Sequence, residues 1–460
     1  MKKRKEDALR WQELNMNRFH KMADDIWNVP ELGMQEEYSS NQIASLLEAE
    51  GFSLECGVAG MPTAFIATWG KGYPVIGFSA EYDALPAVSQ QACIEKKPVR
   101  EGAPGHGCGH NILGVGAAFA ASSLKYIMEK EDLSGTIKVF GTPAEELCMG
   151  KPFMAKAGVF KGVDVFLDWH PKTMNRSCGE GCNAYFNVKY HFIGKSCHGN
   201  APWHGRSAFD ACMLQAQAVE LMREHMPPGD PPEAANTINY VFNVDGISYP
   251  NVVPDKATSW FIGRFTTSEE LLEALEHVDK CAEAAALVTE TSVKREFLTA
   301  SHEKIPNETI SRAMLSNLEE MGAPEFTDEE QDFAKAFQKN LGVEETGLDE
   351  SITPFSYLGG PLQDTSEYTW FAPYGLVRLT MAPQNVGWHN WAAAAFAGTS
   401  IAHKTMDKAA QILTGTAIDI LENKEILIQA KAEWENTMKG KKYIQLLPDD
   451  YEPNLGIANN

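Results

Sequence analysis

The chain of 460 residues carries 40 Lys and Arg against 62 Asp and Glu, which gives a formal net charge of −22 at pH 7. Hydrophobic residues make up 44% and charged residues 22%, the composition of a folded globular protein of two or three domains. The acidic balance disfavours nucleic-acid binding, and no run of 18 uninterrupted apolar residues predicts a membrane span. We expect neither nucleic acid nor membrane as a partner. The nine scattered Cys and the absence of a signal peptide predict a cytoplasmic protein.

The first part of the chain alternates predicted helices and strands. Two helices come first, and Gly51 ends the second one, because glycine is favoured just beyond a helix. Short apolar runs then alternate with a long apolar helix, which is typical of a mainly parallel α/β sheet. The predicted helices are Ala8–Trp27, Ser39–Glu50 and Ile112–Met128, and the predicted strands are Thr63–Trp69, Pro74–Ser79, Gly135–Phe140 and Val163–Leu167.

The pattern changes at residue 184, where the predicted order becomes β-α-β-β-α-β. This order is the ferredoxin-like arrangement, so residues 184–299 are predicted to form an inserted α+β domain. A Pro-rich loop is expected at Pro227–Pro232. Residues 1–183 and 300–460 are predicted to form the larger domain, with a strand at Leu376–Thr380 and one long alanine-rich helix from Trp391 onward.

Four short segments carry side chains that bind metals: His106–Asn111, Glu145–Glu146, Asp168–His170 and Trp388–Asn390. The first three fall in loops at the ends of predicted strands, where open α/β sheets form their pockets. Cys, His and Glu are the natural ligands of zinc. Each segment alone has an ordinary structural interpretation as a buried His, a buried Cys or a solvated pair of Glu, so only the combination predicts a metal site.

Together these segments resemble the M20 metallopeptidase and aminoacylase family. The nearest branch contains aminobenzoyl-glutamate hydrolases, dipeptidases and N-acyl amino acid hydrolases. The resemblance runs in family order over nearly the whole chain, through the motifs EYDALP from Glu81, HGCGHN from His106, GTPAEE from Gly141, DWHP from Asp168, GKSCHGNAP from Gly194, PNVVP from Pro250 and WHNW from Trp388. It implies a three-layer α/β/α catalytic domain with an inserted dimerisation, or lid, domain.

The resemblance also implies the chemistry, which is hydrolysis of an amide bond in an N-acyl amino acid, an aminobenzoyl-glutamate-like conjugate or a dipeptide. Glu145 would be the general base that takes a proton from the attacking water and delivers one to the leaving nitrogen. Two divalent ions per chain, zinc, manganese or cobalt, would be bound by Cys108, His110, Glu146, His170 and His389.

Three residues of the inserted domain gain roles from the same resemblance. His198 would reach across a homodimer into the partner's active site and stabilise the oxyanion. Asn251 and Arg264 would hold a free carboxylate of the substrate, since a guanidinium suits carboxylate geometry. The competing interpretations are a loop His at a strand end and a salt-bridged surface Arg.

Several questions stay open at the level of sequence. Asp83, Glu81 and His106 either orient the metal ligands or are structural. Asn111 stands where many relatives have Asp, so metal affinity is expected to differ, and the role of Asp364–Glu367 is open. Two rival functions remain: a cysteine hydrolase with Cys108 as nucleophile, and a non-catalytic metal- or ligand-binding homologue.

Overall fold

The computed structural model describes residues 2–229 and 235–457, so part of the loop expected at 227–232 lies outside the described residues. The strands are β1 Ser53–Cys56, β2 Phe65–Lys71, β3 Val75–Glu81, β4 Gly135–Thr142, β5 Val165–Lys172, β6 Arg176–Ser177, β7 Gly179–Gly181, β8 Ala184–Ile193, β9 Thr237–Val244, β10 Lys256–Phe265, β11 Ser292–Ser301, β12 Tyr357–Gly359 and β13 Tyr374–Thr380. The helices are α1 Lys3–Asn28, α2 Glu37–Ala49, α3 His110–Lys130, α4 Gly150–Lys156, α5 Ala208–Arg223, α6 Ser268–Thr289, α7 Glu308–Met321, α8 Asp328–Leu341, α9 Ser366–Thr369, α10 Trp391–Phe396, α11 Ser400–Glu422 and α12 Lys424–Thr437.

A seven-stranded sheet forms the centre of the larger part of the molecule. Its strand order is β1-β2-β4-β3-β5-β13-β6. The four central strands, β4, β3, β5 and β13, run parallel, whereas the strands towards both edges pair antiparallel. The predicted α/β fold with a mainly parallel sheet is therefore confirmed.

Helix α3 is a long, largely buried helix beside the seven-stranded sheet. It packs against α1, α11 and β3, and residues 110–124 are all buried. By length and composition α3 could cross a membrane, but 89% of its most apolar stretch is buried inside the protein, as in the core helix of a globular fold. Its apolar character on every face is explained by this burial.

The second sheet has four antiparallel strands in the order β11-β8-β10-β9. Helices α5 and α6 pack together and cover one face, where alternate residues of β8 such as Phe186, Val188 and Tyr190 are buried. The opposite face carries Asn187, Lys189 and other polar residues. This is the β-α-β-β-α-β arrangement expected from the sequence. The boundaries at 183/184 and 299/300 stay predictions.

The long helix expected from Trp391 onward is wrong, because the structure has two helices, α10 and α11, in its place. The break falls at Gly398, where a Cβ atom would lie 2.4 Å from the ring of Trp27. The chain passes Trp27 so closely that only glycine fits, and the Trp27 indole donates to the Ala394 carbonyl at 2.9 Å. Packing against α1, which pattern analysis does not include, ends the helix.

Candidate metal centre

The carboxyl ends of three parallel strands bring polar side chains to one edge of the large sheet. β3 ends at Glu81, β4 ends shortly before Glu145, and β5 contains His170 near its end. Because β4, β3 and β5 are parallel neighbours, their ends lie at the same edge, where open α/β sheets form ligand pockets.

A tight turn presents Cys108 and His110 to this edge. Gly109, between them, has a φ of +77°, and a Cβ atom there would lie 2.9 Å from Cγ of Pro171. Glycine meets both requirements, because it adopts positive φ readily and has no side chain. His110 begins α3, and Pro171 directly follows His170, so the turn brings the three candidate ligands together.

Two groups of possible metal ligands share the Cys108 thiol. Cys108, His110 and His170 form one group, and Cys108 forms the other with Glu146 and His389; the ligand atoms of each group lie within 4.8 Å of one another. Cys108 Sγ lies 3.5 Å from His170 Nε2, and His389 Nε2 lies 3.3 Å from Glu146 Oε2. Atoms bound to one tetrahedral ion at about 2.0–2.3 Å are themselves roughly 3.3–3.7 Å apart, so both distances suit shared coordination.

Two buried atoms at the site lack a hydrogen-bond partner among the described residues. They are Nε2 of His110 and Oε1 of Glu146, 4.0 Å apart. A buried polar atom without a partner is costly, and a cation bound in each of the two ligand groups would satisfy the atom that belongs to it. This observation, together with the sulfur, nitrogen and oxygen donor set, shows that the residues fit a pair of divalent ions.

Asp83 fixes two of these ligands at once. Its Oδ1 accepts from His110 Nδ1 at 2.8 Å, and its Oδ2 accepts from the Glu146 backbone N–H at 2.9 Å. The first contact makes Nδ1 the protonated nitrogen of His110 and leaves the Nε2 lone pair for a metal. Burial raises the pKa of Asp83, whereas the contacts with His110, the Glu146 backbone N–H and the charge of Lys151 lower it, and the net pKa is lowered.

Glu145 belongs to neither of the groups that share Cys108, but with Glu81 and His110 it forms a third group whose possible ligand atoms lie within 4.8 Å of one another. Its Oε2 is 3.8 Å from His110 Nε2, and its side chain is 8% exposed. Burial raises the pKa of Glu145 well above its usual value, and the neighbouring carboxylates of Glu81 and Glu146 raise it further. The Glu145 carboxyl group therefore has a raised proton affinity and lies next to the ligand atoms.

The sequence profile of peptidase family M20/M25/M40 matches residues 77–423, which is most of the chain and includes every residue of the two ligand groups. The chain belongs to this family. One of the subunits of p-aminobenzoyl-glutamate hydrolase from Escherichia coli is 33% identical to it over 96% of this chain and 97% of the relative. Xaa-Arg dipeptidase from Mus musculus is 29% identical over 75% of this chain and 78% of the relative.

Solved M20 structures share the fold. The YXEP protein of Bacillus subtilis, a dinuclear metal-binding peptidase, superimposes with a TM-score of 0.57 at 19% identity, covering 89% of this chain and 98% of that one. The aminobenzoyl-glutamate utilization protein of Klebsiella pneumoniae gives 0.59 at 17% identity, covering 88% and 96%. The resemblance seen in the motifs is thus confirmed, and the protein is an M20 amide hydrolase.

A buried lysine that the sequence analysis missed completes the surroundings of the M20 site. Lys151 Nζ lies 2.8 Å from Glu81 Oε1 and 2.6 Å from Asp364 Oδ1, and its side chain is fully buried. The other oxygen of Glu81 is 3.5 Å from His110 Nε2. The positive charge of Lys151 thereby offsets the negative charges of two carboxylates next to the ligands. Its one sequence signal is a lysine within the apolar segment Met149–Ala155.

The open questions about neighbouring residues have structural answers. Asp364 pairs with Lys151, and Glu367 pairs with His302 at 2.8 Å, so both acidic residues of that segment serve buried ion pairs. His106 faces the Ile26 carbonyl at 3.2 Å, and burial lowers its pKa to about 3, so it is a neutral residue that supports the turn.

Asn111 does not face the metal ligands. Its amide donates to the carbonyls of Ala23 at 3.3 Å and Ala397 at 3.0 Å, tying α3 to two other helical segments. Asn111 was expected to alter metal affinity because it has an amide where many relatives have a carboxylate that can accept a hydrogen bond. Asp83 provides that acceptor here, so the structure gives this expectation no support.

His198 and Asn251 lie together on exposed loops of the four-stranded part, since the Asn251 amide nitrogen is 3.3 Å from His198 Nε2. They are next to the β8 end at Ile193, whereas Arg264 pairs with Tyr185 at the opposite end. At about 3.3 Å per strand residue, roughly 25 Å separates the two ends. Within one described chain, the predicted carboxylate-binding pair Asn251 and Arg264 is not brought together.

Arg264 lies on the wall of a cavity of about 1060 Å³ that is lined by β9, β10 and the paired short strands β7 and β12. Its Nη1 donates to the Asn239 side chain at 3.2 Å, and its guanidinium is 6.0 Å from the Tyr185 ring. Lys304 lines the same cavity. The cavity therefore carries Arg264 and Lys304 beside the acidic Glu303, and Lys304 Nζ already lies 3.5 Å from Glu180 Oε1.

Proposed function

We propose that this M20 hydrolase cleaves an N-acyl amino acid, an aminobenzoyl-glutamate-like conjugate or a dipeptide, with Glu145 as general base and two divalent ions, zinc, manganese or cobalt, as cofactors. The observation that carries the proposal is the sharing of Cys108 between two ligand groups, with Glu145 beside both. The names of the relatives support the substrate class, since they include an aminobenzoyl-glutamate hydrolase and a dipeptidase.

The five predicted ligands hold the ions in the proposal: Cys108, His110, Glu146, His170 and His389. When bound, the two ions lower the pKa of a water molecule and polarise the scissile carbonyl. Glu145 takes the proton of the attacking water as the C–O bond forms, and it gives a proton to the nitrogen as the C–N bond breaks. The products are a carboxylic acid and an amine, so the atoms and protons balance.

The thiol of Cys108 is a poor nucleophile in this setting. It is fully buried, and burial together with the neighbouring Glu146 raises its pKa to about 12, so the thiolate is disfavoured unless a cation binds it. Chelation separates the two mechanisms. Removal of metal with EDTA abolishes activity in the proposed mechanism, and re-added Zn²⁺ or Mn²⁺ restores it, whereas a cysteine hydrolase stays active in EDTA.

The Glu145–Glu146 pair provides the decisive variants. Glu145→Gln is expected to retain both ions and to lose several orders of magnitude in kcat, because the base is gone but the ligands remain. Glu146→Gln is expected to lose metal. Metal content by elemental analysis and a hydrolysis screen over N-acyl amino acids, aminobenzoyl-glutamate and dipeptides check both. An active Glu145→Gln protein contradicts the mechanism, and metal binding without turnover of any substrate favours the non-catalytic homologue.

We also propose a homodimer in which His198 serves the partner's site. His198 is exposed and lies at the opposite end of the four-stranded sheet from Arg264. Helix α5 and strand β9 carry the exposed apolar side chains Leu221 and Val241, as expected of a surface that a partner subunit covers. Mixing inactive His198→Ala with inactive Glu145→Gln protein is expected to restore activity through mixed dimers. A native mass that corresponds to one chain contradicts this arrangement, and so does a mixture that recovers no activity. An enzyme that needs a second, different protein chain for activity contradicts it as well.

A further inference from the structure

A cavity of about 480 Å³ opens beside Glu146 and has walls from three separate parts of the chain. The loop after β3 contributes Leu85, and the turn after Glu146 contributes Met149. The open face of the four-stranded sheet contributes Tyr185 and Trp260. The segment that follows α12 contributes Ile457. Because Glu146 is one of the candidate metal ligands, the cavity begins at the reacting centre.

The walls of this cavity include apolar and aromatic side chains, and several of their polar groups already have partners within the protein. The Trp260 indole N–H donates to the Asn187 side chain at 2.5 Å, and the Lys189 ammonium lies 4.7 Å from the Trp260 ring. Glu296 Oε2 forms a hydrogen bond with His191 Nε2 at 2.7 Å. The volume falls within the roughly 300–1,000 Å³ of small-molecule sites, which are lined mainly by apolar and aromatic groups.

The segment 443–457 is held against both parts of the molecule. The Lys156 ammonium, at the end of α4, donates to the carbonyls of Pro448, Asp449 and Tyr451 at 2.7, 2.9 and 2.9 Å. The Tyr451 hydroxyl donates to the Leu298 carbonyl at 2.9 Å, next to β11 residue Phe297, whose ring is 5.5 Å from that of Tyr451. These contacts hold the backbone at residues 448–451, and further along the Ile457 N–H donates to the Asn454 carbonyl at 3.2 Å.

We propose that this cavity receives an aromatic or other apolar acyl group of the substrate, and that segment 443–457 sets the size of that group through Ile457. The inference rests on the proposed amide hydrolysis and names its acyl side. An uncharged ring matches the apolar walls beside Glu146 and Trp260.

Two variants at Ile457 test the assignment on substrates that share one leaving group, N-acetyl-glutamate and N-benzoyl-glutamate. Ile457→Trp narrows the cavity and is expected to lower the benzoyl-to-acetyl ratio of kcat/KM by about 10-fold or more, mainly through KM. Ile457→Ala is expected to raise the ratio for a larger naphthoyl group. Leu455→Trp and Leu455→Ala are the matched controls, because Leu455 is 41% exposed and lies outside the described cavity walls; their ratios stay as in the parent.

A variant remote from the cavity tests the role of the segment as a whole. Lys156→Met removes the ammonium that binds three carbonyls of the segment and keeps the aliphatic part of the side chain. The benzoyl-to-acetyl ratio is expected to change at least about 3-fold, as a pocket that loses one wall discriminates less. This ratio is independent of how much protein is folded, so partial unfolding cannot imitate the effect.

Different results would overturn the assignment of the acyl cavity and the proposed hydrolase activity. If benzoyl-glutamate is hydrolysed and Ile457→Trp leaves the ratio unchanged, the acyl cavity is wrong and the hydrolase stands. If no amide is hydrolysed, sodium benzoate titrated calorimetrically into the full chain is the probe. Benzoate binding that Ile457→Trp abolishes and Leu455→Trp keeps upholds the cavity, whereas absence of binding overturns it.

Discussion

At the scale of single residues, one carboxylate organises the candidate metal centre. Asp83 accepts from the ring of His110 and from the backbone of Glu146, so one side chain orients two ligands that are distant in sequence. Groups that orient metal ligands typically contribute about 10–100-fold to metal affinity or activity. Asp83 is therefore expected to be needed for metal binding although it touches no metal itself.

Asp83→Asn is predicted to weaken metal binding by about 10–100-fold. An amide has one accepting oxygen, so either the His110 N–H or the Glu146 N–H would face the NH₂ group. Chelator competition on the purified protein measures the change. Asn111→Ala is the control: it removes two hydrogen bonds to carbonyls and is expected to cost about 1–3 kcal/mol of stability with unchanged metal affinity. Equal metal affinities for Asp83→Asn and the parent would contradict the role of Asp83.

Residue types predicted a metal site, because Cys, His and Glu follow predicted strands, and the resemblance to the M20 family supplied the five candidate ligands. Neither revealed Lys151, since its partners Glu81 and Asp364 come from two other segments and a buried lysine is otherwise unexpected. The resemblance also joined Asn251 to Arg264, which lie only 13 residues apart in sequence. The antiparallel pairing of β10 with β8 carries them to opposite ends of the sheet.

At the scale of elements, periodicity located the long strands and helices well. The predicted strand at Leu376–Thr380 and the predicted helix at Ile112–Met128 agree within two residues with β13 and α3 as observed. The short strands β6, β7 and β12 were missed, because two or three residues carry no period. The helix break at Gly398 depends on the Trp27 ring, a contact distant in sequence.

The turn before α3 offers a prediction at this scale. Gly109→Ala puts a Cβ atom 2.9 Å from Pro171 at a φ of +77°, so the turn must shift and move Cys108 and His110. The variant is expected to lose about 1–3 kcal/mol of unfolding free energy and to bind metal more weakly.

Gly102→Ala is the control, since φ there is +71° but nothing lies within 4 Å of the added Cβ. Gly102→Ala should show the backbone strain alone and keep its metal affinity, as denaturant titration and chelator competition measure. If both variants bind metal equally well, close packing at Gly109 does not position the ligands.

At the scale of the whole molecule, the candidate ligands link distant parts of the chain. Cys108, His110, Glu146 and His170 come before the four-stranded part in sequence, and His389 comes after it. Strand β13, which leads towards His389, pairs with β5, which carries His170. Metal binding therefore requires that both halves of the large sheet be assembled, so the folded chain and the metal site should stabilise each other.

This linkage predicts that metal raises the stability of the chain in proportion to its occupancy of the folded site. Free ligand at 100 times its Kd stabilises a folded protein by about 2.7 kcal/mol, so saturating Zn²⁺ or Mn²⁺ is expected to raise Tm and EDTA to lower it. Glu145→Gln should keep the full increase, since Glu145 is the proposed base. Glu146→Gln should lose most of it, since Glu146 belongs to the ligand group of Cys108 and His389. Thermal denaturation of the three proteins, with and without metal, measures the differences without any substrate. An equal increase in Tm for the parent and Glu146→Gln would show that the stabilising ions bind elsewhere, and a loss of the increase in Glu145→Gln would make Glu145 a ligand instead of the base.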